Sequence, residues 1–174
     1  MKVKANSKFS IPFTSLKEGM HNFEFEIEKE FFDNFEFSEI DNGHLKASLL
    51  LNKQENLMTL NFTIKGEVYM PCDICLDPLK IDIMSENMLI IKFGDSYIEE
   101  TDDIIVIPYS SGAYNCAQLL YEFIYLALPM RRAHEDFSDE CNPQMLNYLK
   151  NMEPKENSKN ETWDILKSLK NNTK

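Results

Sequence analysis

Two cysteines set two residues apart, in Cys72-Asp73-Ile74-Cys75, are the part of this sequence best suited to chemistry. Thiolates at that spacing can reach one tetrahedral zinc from a tight turn, with Zn–S bonds of about 2.3 Å. The pair is half of a four-ligand site. Donors for the other half exist in His134 and Cys141, separated from each other by six residues and from Cys75 by 58. Cys141 directly precedes Asn142-Pro143, which reads as an N-cap followed by proline in the first turn of a helix; the positive end of the helix dipole favours a thiolate there. Cys72, Cys75, His134 and Cys141 are therefore a candidate Cys₃His site for one structural zinc, whose binding free energy would be folding free energy. The His-to-Cys spacing is wider than in common zinc fingers. The competing reading makes Cys72 and Cys75 small buried hydrophobes and leaves His134 in an exposed acidic loop. Cys116 reads as core.

Other chemistries find less support. A thioredoxin-like use of Cys72 and Cys75 needs a helix after the pair to activate the first thiol, but Leu76-Asp77-Pro78 and a strand-like alternation follow. With only five glycines the chain contains neither G-x-x-x-x-G-K-[ST] nor G-x-G-x-x-G, and its three histidines form no H-E-x-x-H. Ser110-Ser111-Gly112 lacks the G-x-S-x-G elbow of a serine nucleophile. No catalytic constellation emerges, and no small-molecule substrate is expected. Arg131 and Arg132 are the only arginines. Their forked donors suit phosphate, which makes them candidate RNA contacts; equally, they could neutralise Glu135, Asp136 and a helix C-terminus.

The elements that would position these residues follow from periodicity. Phe23, Phe25 and Ile27 alternate with polar neighbours, as do Leu45, Ala47, Leu49 and Leu51, and then Met58, Leu60, Phe62, Ile64, Val68 and Met70. A period of two indicates strands with one buried face, and residues 45–70 predict a hairpin with Gly66 as a bulge. Leu79, Ile81 and Ile83, then Leu89 to Phe93, extend the sheet. Gly94 to Asp103 reads as a polar loop, and Ile104 to Ile107 as a short buried strand ended by Pro108. The period then becomes helical through Ala117, Leu120, Tyr121, Ile124 and Leu128, with Asn115 as cap, Gln118 as its capping-box partner and Pro129 as terminator.

The expected fold class is α+β: an antiparallel sheet or partly closed barrel in the N-terminal two-thirds, with one long helix and short C-terminal helices packed on it. Residues 1–152 would form a single domain, 153–160 a polar linker and 161–174 a short amphipathic tail helix. Trp163, Leu166 and Leu169 on that tail are candidate partner-binding residues, since so short a helix needs a docking surface to be stable.

Hydrophobic residues make up 43% of the 174 and the net charge is −11, a composition that folds rather than stays disordered. An acidic balance argues against wholesale binding of phosphate backbones. The charge is unevenly spread: residues 1–17 carry four lysines and no acid, residues 150–174 six lysines against four acids, and residues 18–149 eight basic against 25 acidic residues. RNA contacts would then use the ends or a local patch. The start reads as no secretory leader and the apolar stretch Leu119 to Met130 is too short to span a bilayer. A soluble cytoplasmic protein, not engaged with membrane, is expected.

With these segments in place the chain resembles the YceD family, and its Bacteroidetes-like branch in particular. The resemblance rests on Cys72-Asp73-Ile74-Cys75-Leu76-Asp77-Pro78, on Tyr121-Glu122-Phe123-Ile124 through Leu126-Ala127-Leu128-Pro129, on His134 followed by an acidic run and Cys141, and on Trp163-Asp164-Ile165-Leu166-Lys167-Ser168-Leu169. It departs from the family where Asn160-Glu161-Thr162 stands in place of a frequent Asp-Pro-Arg before the tryptophan. The resemblance implies a non-enzymatic accessory role in synthesis, processing or stability of large-subunit ribosomal RNA, with that RNA or a large-subunit precursor as partner, and on it the acidic body could engage a basic ribosomal protein. Two readings of other classes stand beside it: a thiol- or metal-dependent redox protein using Cys72 and Cys75, and a plain protein–protein interaction module.

Overall fold

Alternating apolar and polar residues build a sheet whose inner face carries nearly all of the core. The computed structural model of the protein describes residues 7–134 and 141–152. In chain order the elements are β1 (Ser10–Ile11), β2 (Gly19–Ile27), α1 (Lys29–Phe32), β3 (Asn42–Lys53), β4 (Leu57–Pro71), β5 (Pro78–Gly94), β6 (Ile98–Thr101), β7 (Ile104–Pro108), β8 (Tyr114–Asn115), α2 (Ala117–Leu126) and α3 (Pro143–Met152). Strands β3 and β4 pair antiparallel with Ala47 opposite Ile64, Leu49 opposite Phe62 and Leu51 opposite Leu60. All six side chains are buried, each worth about 1.5–3 kcal/mol for the larger ones against leaving it in water.

Six strands form one sheet in the order β2-β3-β4-β5-β7-β6, and β1 and β8 pair separately. Every neighbouring pair in the large sheet is antiparallel except β5 and β7, which run parallel from Ile90 opposite Ile104 to Gly94 opposite Pro108. The expected partly closed barrel is not formed: β2 and β6 are separate edges. The apolar face is instead covered by α1, α2 and the N-terminal turns, whose Phe9, Phe13, Phe31, Phe32, Leu120 and Ile124 belong to the same buried cluster as the strands. A sheet so covered has no apolar face left to bury by curling.

The polar loop expected between Gly94 and Asp103 contains β6, an edge strand with all four residues exposed. Nor is Gly66 a bulge. Register runs unbroken through it, opposite Leu45, and its φ of +148° with the His44 carbonyl lying where a Cβ would go makes it a close backbone approach.

The expected long helix is short: α2 has ten residues and ends at Leu126. Pro129 disfavours helical backbone at Leu128, so the chain leaves the helix there. At its start the Asn115 side chain accepts the Ala117 N–H at 2.9 Å. The reciprocal Gln118 bond of a capping box is absent, because that side-chain amide donates to Glu122 at 2.7 Å. Rings link the short α1 segment to α2: Phe31 to Phe35 at 5.2 Å, Phe35 stacked on Tyr121 at 4.0 Å, Tyr121 stacked on Tyr125 at 5.8 Å. Helix α3 buries none of its own residues and packs Met145 and Leu146 on the cysteines rather than on the sheet. The expected linker 153–160 and tail helix 161–174, with Trp163, Leu166 and Leu169, lie outside the described residues.

Candidate metal centre

The Cys72–Cys75 segment is the turn joining β4 to β5, closed behind it by the pairing of Pro71 with Pro78. Inside the turn the Leu76 N–H donates to the Cys72 carbonyl at 3.0 Å and the Cys72 N–H to the Asp77 carbonyl at 2.9 Å. Leu76 takes a φ of 65° to make this possible, an uncommon conformation for a residue with a Cβ. The result points both thiols to one side: the Ile74 N–H lies 3.4 Å from Cys72 Sγ, and both cysteines are buried.

The segment after α2 is pinned to this turn. The Asp73 N–H donates to the Arg132 carbonyl at 2.7 Å and the Arg132 N–H to Asp73 Oδ2 at 2.8 Å. The Arg132 guanidinium then pairs with Asp73 at 3.1 Å and Glu39 at 2.6 Å, and Glu39 also accepts the Tyr125 hydroxyl at 3.0 Å. Those bonds hold the Glu39 carboxyl below its ordinary range, first through Arg132 and then through Tyr125. Two residues beyond Arg132 the chain delivers His134, only 9% exposed, so the exposed-loop reading of this histidine does not hold.

Cys141 arrives from the other direction, at the start of α3. Asn142 caps that helix, its Oδ1 accepting the Gln144 N–H at 3.0 Å, and Pro143 fills the first helical position as its missing N–H allows. The four candidate donors converge: three thiol sulfurs and one imidazole nitrogen lie within 4.8 Å of one another. His134 Nδ1 is 3.6 Å from both Cys75 Sγ and Cys141 Sγ. Bonds of about 2.3 Å to sulfur and about 2.05 Å to nitrogen at the tetrahedral angle give a sulfur–nitrogen edge of about 3.6 Å. The residues present thus fit one tetrahedral ion.

The electrostatics divide the thiols. Burial pushes Cys72 up, but N–H groups of Cys75, Ile74 and His134 and the Cys75 side chain outweigh it and bring the thiol to about 6. Cys141 goes the other way, to about 11, through burial and the neighbouring Cys75 and Cys72. The lowering expected for Cys141 from its helix dipole is overridden by burial and by those thiols. Cys116 is 0% exposed, and burial raises its thiol.

Arg131 lies exposed beside Arg132. The guanidinium of Arg132 is engaged with Glu39 and Asp73, partners the sequence did not single out; a glutamate within an acidic sequence gives no signal of a contact 93 positions away. No helix among the described residues is long and apolar enough to cross a membrane.

A family model described as large ribosomal RNA subunit accumulation protein YceD matches residues 60–170. That span includes all four candidate donors. Neither a curated protein sequence nor a solved structure matches the chain.

Proposed function

The chain belongs to the YceD family, and from that premise we propose that it is a cytoplasmic accessory factor, not an enzyme, in the accumulation of large-subunit ribosomal RNA. It acts by associating with that RNA or with a large-subunit precursor. The observation that carries this reading is the family match over residues 60–170, and the convergence of Cys72, Cys75, His134 and Cys141 inside that span supports a structural role for them.

In this reading the four residues hold one zinc, which when bound supplies a fixed tetrahedral link and withdraws protons from the thiols. The chain's own residues do the rest. Asp73 and Arg132 set the turn against the segment carrying His134, Glu39 fixes the guanidinium between them, and Asn142 orients α3 behind Cys141. RNA contact falls to Arg131, Arg132 and the lysine-rich ends. For Arg132 it would mean exchanging its Glu39 and Asp73 partners for phosphate.

The test is sedimentation of cell extract through a sucrose gradient at low salt, with crosslinking to RNA. Co-migration with large-subunit precursors and crosslinks to their RNA are expected. Protein confined to the top of the gradient, with no crosslinked ribosomal RNA, would contradict the proposal. The redox alternative draws on the Cys72 thiol near 6. Against it stand the strands on both sides of the pair, which offer no helix N-terminus to activate a thiol. Turnover in a disulfide-reduction assay would favour it.

A further inference from the structure

At the opposite edge of the sheet from β2, a groove of about 780 Å³ lies between α2 and the β6–β7 edge. Its apolar lining includes Leu89, Ile105, Leu119 and Phe123, with Tyr97 and Tyr114 beside them and Leu126, 80% exposed, on the lip. Five carboxylates surround that lining, on Glu99, Glu100, Asp102, Asp103 and Glu122, and among the described residues no lysine, arginine or histidine lines the groove. Lys92 reaches in from outside to pair with Glu100 at 2.6 Å.

Two of the donors on the groove wall already have partners. The Tyr97 hydroxyl donates to Glu99 at 2.8 Å and the Gln118 amide nitrogen to Glu122 at 2.7 Å, so these donors are spent inside the wall. Gln118 Oε1 is buried and accepts nothing from the described residues. An acceptor left so is costly unless water or a ligand supplies a donor. Burial raises both the Tyr97 and Tyr114 hydroxyls, and the charges of Glu99 and Glu122 add to the rise in each case, as expected if negative potential fills the space between them.

A ligand suited to this groove carries positive charge, hydrogen-bond donors and aliphatic stems. Lysine and arginine side chains combine all three, whereas a phosphate backbone is repelled. We propose that the groove between α2 and the β6–β7 edge docks a lysine- and arginine-rich segment of another protein. This stands on the groove alone and is independent of whether the chain touches RNA.

The test is fluorescence anisotropy of a labelled peptide of lysine, arginine and leucine titrated with the full chain, beside a variant carrying Glu99→Gln and Glu122→Gln whose fold is checked by circular dichroism. Binding that weakens at least about tenfold in the variant and falls with added salt is expected, since facing charges are screened beyond roughly 8 Å at physiological salt. Leu126→Lys and Leu126→Glu, at an exposed position, should weaken and strengthen binding respectively. Equal binding by wild type and all variants overturns the proposal. So does spermidine binding as tightly as the peptide, which would make the groove a site for small cations. Carbodiimide crosslinks from Glu99 or Glu122 to the peptide's lysines support it; crosslinks to the chain's own lysines beyond residue 153 instead would overturn docking from another protein.

Discussion

Across the inner face of the sheet Leu60, Phe62, Ile64 and Ile91 are each at most 1% exposed and sit in one continuous buried cluster. Around the cysteines the apolar neighbours among the described residues are the partly buried Ile74, Leu79, Ala133, Met145 and Leu146. The first region is held by area removed from water, spread over many side chains, and no single group is indispensable to its form. The second joins three distant stretches of chain, the β4–β5 turn, the segment after α2 and the start of α3, with little apolar area to do it. What remains there is donor chemistry and the Asp73–Arg132–Glu39 network. Hence the sheet should tolerate loss of metal donors, and the knot should not.

The largest expected effect separates the two outright. Cys72→Ser or Cys141→Ser should abolish metal binding and remove amide-exchange protection from α3, while the central strands keep theirs; simultaneous loss in both regions would show that the knot governs the whole fold. Phe62→Ala is the converse: it should cost about 3–5 kcal/mol of global stability in denaturant unfolding and leave metal stoichiometry unchanged in the folded fraction. Arg132→Ala removes the side-chain part of the tie between the turn and the histidine segment, leaving the two backbone bonds to Asp73, without touching a ligand. Metal affinity should fall about 10–100-fold, as for other residues that orient ligands, and competition with a chromogenic chelator measures it. Unchanged affinity would mean the turn and His134 are aligned by backbone alone. The smallest effect is expected for Asn115→Ala, which removes the side-chain acceptor of the first α2 N–H, one residue before the Cys116 cap position, and should cost about 1 kcal/mol with no change at the metal centre.

The same contrast governs what could be read from sequence. The β3–β4 hairpin was legible because Leu45 to Leu51 and Met58 to Met70 alternate on a half-buried sheet, broken only at Leu50 and Gly66. β5 looked like two runs, since Ser85 and Asn87 put polar side chains at inner-face positions within one 17-residue strand. β6 gave no pattern because all of it is exposed, and α1 is only four residues, too short for a helical period to show. At the site the donors were legible by type, since cysteine and histidine are scarce in this chain. Glu39 was not, because its role depends on a fold that brings it to Arg132. The groove beside β6 was hidden for the same reason, its carboxylates coming from a loop, a strand and a helix.

The most direct test of the metal centre is elemental analysis of the untagged protein, purified without chelator under reducing conditions, beside Cys72→Ser, Cys75→Ser, His134→Ala and Cys141→Ser. About one zinc per chain in the parent, the stoichiometry of a single four-ligand site, and its loss from every variant is the predicted result. No zinc in the parent, or zinc retained in full by the variants, would contradict the account.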